Sequence, residues 1–348
     1  MKKIKINNKY IGDGEPTFII AEAGSNHNGK LEQAKKLIDT ASDAGADAVK
    51  FQIYSADTLY SKNAPRLSEM DRLVGKEETP YSLIKKIQMP REWIGNLAKY
   101  CKEKHIIFMS TPFDEEAVNQ INKFVPAFKV SGYDINNFDL LTKITGKKKP
   151  IILSTGTSYF GEVEEAVNKI YSFNKNAELI LLHCVNQYPA RFSDVNLKAM
   201  VKMKNYFDIP LGFSDHTSGI EIPIAAVALG ANVIEKHFTL DRGLPGPDHS
   251  FASEPEELKK MVQSIRNVEK ALGDGVKKPA ESEMENRRLA RRSIHAKEDI
   301  SKGETIREEQ LIMLRPALGM GPNLKETVVG RRAKKKIDAG SAITQDMI

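Results

Sequence analysis

The chain reads as an α/β protein, a (β/α)8 barrel followed by a small, mostly-β domain. Three observations predict this. Up to about residue 275, short β-branched or apolar runs alternate with longer amphipathic stretches, the pattern of βα units on a parallel sheet. Eight such runs occur, and polar residues gather at their C-terminal ends, where barrels assemble active sites. After Gly275 the text changes to short alternating segments broken by Gly and Pro. A doubly wound open sheet is the competing architecture. Buried strands ordinarily run apolar, so repeated polar arrivals at one end favour a closed barrel around a shared cavity. The predicted organisation is a barrel domain over 1–275, with 1–15 as an N-terminal cap, a linker over 276–290 and a second domain over 291–348.

The strands follow in order. FIIAEAG (18–24) carries Glu22 and leads to Asn26 and His27, and AVKFQIY (48–54) carries Lys50 and Gln52. IIFMSTPF (106–113) brings Ser110 and Thr111, and AFKVSG (127–132) brings Lys129 and Ser131. PIILSTG (150–156) contributes Ser154 and Thr155, and LILLHCV (179–185) contributes His183 just before Asn186. PLGFSDH (210–216) ends in Ser214, Asp215 and His216, and VIEKHFT (233–239) holds Glu235, Lys236 and His237. Between them, LEQAKKLIDTASDAG (31–45) places Leu31, Ala34, Leu37, Ile38 and Ala41 on one helical face and stops at Gly45, a glycine suited to a helix C-terminus. Residues 161–173 and 254–273 have the same helical spacing, and Trp93 is expected to anchor a helix to the barrel. KKPAESEMENRRLARR (277–292) is charged and lacks an apolar stripe, so it reads as a linker or an exposed helix. The rest is a turn-rich domain small enough to lean on a partner.

Composition narrows the function classes. The chain has 348 residues, 41% hydrophobic and 28% charged, which suits a folded protein and excludes collagen-like or disordered chains. No stretch approaches the ~20 apolar residues of a membrane helix, and no apolar run follows the basic N-terminus as in a signal peptide, so a cytoplasmic protein is expected. Two cysteines, Cys101 and Cys184, support neither a disulfide framework nor a structural zinc site. From Val276 onward 16 Lys+Arg face 11 Asp+Glu, so five of the six formal positive charges lie there. Without interleaved aromatics or a recognisable motif, this basic tail predicts no nucleic-acid partner, and RRAKKK (331–336) reads as a solvated face.

His216 and His237 end consecutive strands and should lie side by side in a barrel. Two imidazoles completed by water or carboxylate suit an open divalent-metal site better than a closed zinc cage. Taken singly, His27, His183 and His249 read as structural. Lys50, Lys129 and Lys236, with nearby hydroxyls, make a pocket for phosphate or carboxylate. A buried lysine could instead serve Schiff-base chemistry, which would need no histidine pair.

AEAGSNHNGKLEQAKKLIDTASDAGADAVKFQ, STPFD, ILSTG, LLHCVNQYPA, GFSDHTSG, VIEKHFTLDR and PGPDHSFA together resemble the sialic acid synthase family, which includes N-acetylneuraminate, legionaminic acid and pseudaminic acid synthases. KEDISKGETI and LRPALGMGP are similar to that family's C-terminal antifreeze-like (SAF, β-clip) domain. The resemblance spans almost the whole chain and implies a TIM barrel that condenses phosphoenolpyruvate with an N-acyl hexosamine, releasing phosphate by C–O cleavage. It implies that His216 and His237 ligate a divalent metal, Mn²⁺ first and Mg²⁺ or Co²⁺ as alternatives, and that Glu22 handles the water added at C2. Lys50, Thr111, Lys129, Ser154, Asn186 and Ser214 would hold phosphoenolpyruvate. Gln52, Tyr188 and Asp248 would meet the sugar. Arg315 would reach the active site of the other subunit in a domain-swapped homodimer.

The resemblance favours N-acetylmannosamine as substrate and N-acetylneuraminate as product, from Asn186 before Gln-Tyr-Pro. A 2,4-diacetamido-2,4,6-trideoxyhexose of the legionaminic or pseudaminic branch is the alternative, from PGPDH and HFTLDR. One departure stands out: the family's serine after the fourth-strand lysine falls at Gly132, with Ser131 beside it as a possible substitute and Tyr133 as a reshaper of the sugar side. From other classes, a Schiff-base aldolase and a non-catalytic sugar-binding protein remain open.

Overall fold

The computed structural model describes residues 2–66 and 79–348. A hairpin of β1 (Ile4–Ile6) and β2 (Lys9–Ile11) precedes eight parallel strands. These are β3 (Phe18–Gly24), β4 (Ala48–Ile53), β5 (Ile107–Pro112), β6 (Phe128–Val130), β7 (Ile151–Ser154), β8 (Leu179–Cys184), β9 (Leu211–Asp215) and β10 (Val233–His237). Their order is β5-β4-β3-β10-β9-β8-β7-β6, and the two end strands, β5 and β6, lie against each other without a ladder, giving a nearly closed barrel. Each of the eight expected strands forms within a residue or two of its expected span.

Side chains alternate across each strand with a period of two, and the alternation sorts the residues. Phe18 and Ile20, Ile107 and Met109, Ile180 and Leu182, with Ala48, Ala127, Ile152 and Val233, fill the barrel interior. Ile4, Ile6 and Ile11 of the hairpin join that cluster and plug one end. The positions between them, such as Ile19, Val49, Phe51, Phe108, Phe128, Leu153, Phe213 and Ile234, pack against the helices instead. One step further along the inward face from Ile20, Met109 and Val233 come Glu22, Thr111 and Glu235. The lower layers are therefore apolar and the upper layer is polar.

The helix Leu31–Asp43 buries Ala34, Leu37, Ile38 and Ala41 as its spacing requires, and Gly45 beyond it has φ +80°, a left-handed conformation that glycine adopts without strain. Trp93 opens the helix Trp93–Glu103 and meets His27 edge-on, with ring centroids 5.8 Å apart. The chain divides into two compact units, the first ending at Gly273 and the second spanning Asp274–Ile348. In the second, β11 (Ser293–Ala296) pairs antiparallel with β12 (Leu311–Leu314), over a core of Ile294, Ala296, Ile300, Ile306, Val328, Ala333, Ile337 and Ile343. The segment expected to be a linker or exposed helix includes the helix Met284–Leu289, none of whose residues is buried. Among the described residues no helix is long and apolar enough to cross a membrane.

Ile11 is fully buried beneath the barrel. Truncating Ile11→Ala should cost roughly 2–5 kcal/mol, through lost burial and the cavity left behind. Urea denaturation measures this, and a variant as stable as the parent would mean that the hairpin does not plug the barrel.

Candidate active site

Four charged side chains meet inside the polar layer. Glu22 and Lys50 are register partners on β3 and β4, and the Lys50 ammonium lies 2.8 Å from Glu22 Oε2. Lys50 also donates to Thr111 Oγ1 at 2.9 Å, while Gln52 donates to Glu22 Oε1 at 2.7 Å. Glu235 on β10 sits between two ammonium groups, 3.8 Å from Lys50 and 3.7 Å from Lys129. Its Oε1 also accepts from Ser214 at 3.0 Å. Lys129 donates to Ser154 Oγ at 2.7 Å and to the Val130 carbonyl at 3.0 Å.

Burial penalises all four charges, and their neighbours decide the outcome. For Glu22, desolvation and the facing Glu235 outweigh Lys50, pushing its carboxyl up to about 7. Burial would raise Glu235 too, but Lys129 and Lys50 overcome it and hold the group at about 2. Lys50 resists desolvation because Glu22 and Glu235 both face it, and its pKa rises. Lys129 is depressed by burial, which Glu235 only partly offsets. Of the two ammonium groups, Lys129 has the more to gain from an incoming anion.

The imidazoles lie beside this quartet. His216 and His237 have ring centroids 5.3 Å apart with their planes at 63°. His216 Nδ1 lies 2.7 Å from the Val185 carbonyl, which can only accept, so the proton sits on Nδ1 and Nε2 keeps its lone pair. His237 Nδ1 is buried without a hydrogen-bond partner among the described residues, 3.8 Å from Asp248 Oδ2. Burial lowers the two pKa values to about 4 and about 3, so both rings are neutral near pH 7, the protonation state that binds metal. Among the described residues no three His, Cys, Asp or Glu side chains form a ready-made cage. The donor set fits an open divalent site, two imidazoles completed by water or substrate oxygen, and does not fit a structural zinc site.

The mouth is aromatic and tightly drawn. The Tyr188 ring lies 4.3 Å from His216, and Phe251 lies 5.4 Å from both Tyr188 and His237. Asp248 Oδ2 accepts from Ser25 at 3.2 Å. Gly24 has φ +50°, and a Cβ there would come within 2.8 Å of that carboxylate oxygen, so only glycine lets Asp248 approach.

The structure thus gathers Glu22, Lys50, Gln52, Thr111, Lys129, Ser154, Tyr188, Ser214, His216, His237 and Asp248. Asn186 accepts from the Cys184 thiol at 3.1 Å and keeps a buried Nδ2 with no hydrogen-bond partner. Ser131 is otherwise engaged, because its hydroxyl accepts from the Tyr133 amide at 3.3 Å and caps the turn Gly132–Asp134. A Cβ on Gly132 would lie 2.7 Å from the Gly156 nitrogen, so the position has no room for a serine. Gly156 in turn abuts Asn186, whose Oδ1 would lie 2.4 Å from a Cβ at 156. Tyr133 is exposed. Arg315 is an exposed residue of the second unit.

Some strand-end residues belong elsewhere. Lys236 does not join the anion pocket: its ammonium pairs with Asp215 at 2.6 Å and with the Thr217 carbonyl at 2.8 Å, at the alternate, outward positions of β10 and β9. His27, His183 and His249 make local hydrogen bonds, to the Gly29 amide, the Val195 carbonyl and Thr239. Glu235 and Cys184 were not singled out from sequence as site residues. Glu235 precedes His237 by two positions and so shares its face, and parity was the available signal. Burial pushes the Cys184 thiol up to about 12, which leaves it protonated and inert.

The NeuB family matches residues 37–277, and a SAF domain matches residues 291–348. The chain is 42% identical to the N,N'-diacetyllegionaminic acid synthase of Legionella pneumophila, over 99% of this chain and 98% of that one. It is 45% identical to the Campylobacter jejuni enzyme of the same name, over 92% and 96%. Among solved structures, the N-acetylneuraminic acid synthetase of Leptospira borgpetersenii aligns with TM-score 0.72 and 38% identity, covering 82% of this chain and 95% of that one.

Replacing Glu235→Gln would leave two buried ammonium groups facing each other without the carboxylate between them. The expected cost is roughly 3–5 kcal/mol, as for breaking a buried ion pair from one side. An unchanged urea midpoint would show that the pair is not held by Glu235.

Proposed function

The chain belongs to the NeuB family and carries a SAF domain, and from that premise we propose that it condenses phosphoenolpyruvate with an N-acylated sugar aldehyde, yielding a nine-carbon 2-keto acid and phosphate. The observation that carries this reading is the pairing of two buried lysines with two neutral imidazoles on one inward layer. Lys50 and Lys129, with Thr111, Ser154, Ser214 and Asn186 as further donors, would hold the phosphate and carboxylate of phosphoenolpyruvate. The buried Asn186 Nδ2, which has no hydrogen-bond partner among the described residues, suits that task. A divalent cation held by His216 and His237 would act as a Lewis acid on the sugar carbonyl.

The residues then divide the work. Lys50 and Lys129 fix the enol so that C3 faces the aldehyde carbon, and positioned charge is worth most in such a water-poor site. Glu22, with its carboxyl near neutrality, takes a proton from the water that adds at C2. C3 bonds to the aldehyde carbon, whose oxygen takes up a proton to become a hydroxyl. The hemiketal phosphate formed with that water then passes its C2 hydroxyl proton to the departing phosphate as the C2–O bond breaks, leaving the keto acid. Gln52, Tyr188 and Asp248 stand at the sugar side.

For the sugar we infer a 2,4-diacetamido-2,4,6-trideoxyhexose, in place of the N-acetylmannosamine favoured from sequence. The higher identity to the two legionaminic acid synthases than to the Leptospira enzyme supports this choice. We also propose that Arg315 completes the site of a partner subunit in a homodimer. Its support is the position of Arg315 in the SAF-domain motif and its exposure.

Phosphate release from phosphoenolpyruvate, assayed with the diacetamido sugar and with N-acetylmannosamine, tests the reaction. Release should require a sugar, run faster with the diacetamido substrate, and stop with EDTA. His237→Ala should lower kcat/KM on the order of 10²-fold or more. Borohydride trapping of a pyruvate adduct would point to an aldolase, and sugar binding without phosphate release to a binding protein. For Arg315, mixing Arg315→Ala with Lys129→Ala chains should restore activity that neither has alone. A mixture as inactive as its components would rule out donation across subunits.

A further inference from the structure

The second unit contains a cleft that the proposed reaction does not use. It has a volume of about 600 Å³ and is lined by Arg287, Arg288, Arg291 and Arg292 together with Met284 and the Gly319–Asn323 segment. No carboxylate lines it. Among the described residues Arg287, Arg288 and Arg291 form no ion pair or side-chain hydrogen bond, and Arg292 donates only to the Met313 carbonyl at 3.3 Å. All four arginines are exposed, so water screens their mutual repulsion, and what the cleft offers an anion is four guanidinium groups with no carboxylate among them.

The walls are tied in place. The Ala317 amide donates to the Arg288 carbonyl at 2.9 Å, fastening the end of the helix Met284–Leu289 to the segment after β12. Ser293 donates to the Pro316 carbonyl at 2.8 Å beside it. The arginines thus line the cleft from a backbone held at two points. Guanidinium forks match phosphate oxygens two at a time, and four of them more than offset the two or three negative charges of an organic diphosphate. The cavity is larger than a diphosphate alone and falls in the range of small-molecule sites. Met284, Ala317 and Pro322 supply an apolar wall for the remainder.

We infer that this cleft binds a small organic diphosphate, recognised through its two phosphoryl groups, at a site made of second-unit residues alone. Titration calorimetry of the full chain with inorganic pyrophosphate and with ADP tests it, comparing the parent, Arg288→Gln/Arg291→Gln and Lys129→Gln. The expected result is saturable pyrophosphate binding that ADP displaces. It should persist in Lys129→Gln and weaken by at least ~10-fold in the double arginine variant, since one charge-assisted bond is worth about that much. Phosphate release from phosphoenolpyruvate should be unchanged in the arginine variant. Equal pyrophosphate binding by parent and arginine variant overturns the inference, as does failure of ADP to compete. Equal affinity for sulfate, phosphate and pyrophosphate would mean a general cationic surface. Tighter binding of a single-stranded oligonucleotide would assign the cleft to nucleic acid and equally refute the diphosphate site.

Discussion

Glu235 is the charge on which the interior of the barrel turns. Two ammonium groups cannot remain inside a packed barrel without compensation, because the desolvation of each costs several kcal/mol. Glu235 lies within 4 Å of both Lys50 and Lys129, and Glu22 lies against Lys50 from the other side. The arrangement is close to neutral as it stands, so an anion entering the barrel must draw the lysines away from carboxylates that already hold them. Lys129 is the less tightly held of the two, with Glu235 as its only carboxylate within 4 Å among the described residues. An anion therefore gains most by approaching Lys129, with Ser154 beside it.

The barrel was legible because each strand announced itself by composition and each helix by its spacing. The Leu31–Asp43 helix buries four of the five residues assigned to its apolar face. What composition did not convey was direction. Lys236 and Glu235 look equally promising as text, yet they are one residue apart and so face opposite sides of the sheet, Lys236 toward Asp215 and Glu235 toward the cavity. Counting by twos back from His237 separates them. Ser131 is a different kind of miss. Its residue type suits phosphate, but serine just ahead of a tight turn is also a cap, and the local hydrogen bond to the Tyr133 amide prevails. The run RRLARR reads as part of a linker or an exposed helix, because no linear pattern reveals that its four arginines line one cleft.

Gly132 shows how a departure from a familiar motif can be sound packing. The Gly132 backbone lies against that of Gly156, and Gly156 against the side-chain amide of Asn186, at distances that admit no extra carbon. A serine at 132 would push this stack outward and carry Asn186 with it. The loss of one hydroxyl and the placement of the Asn186 amide are therefore two sides of one accommodation.

The hairpin that plugs the barrel has a consequence for traffic. Ile4, Ile6 and Ile11 seal the floor with side chains as closely packed as any core, so molecules cannot pass through the cylinder. Among the described residues of the barrel unit, the polar layer is then approached from the opposite end, where Tyr188, Phe251 and the two imidazoles lie.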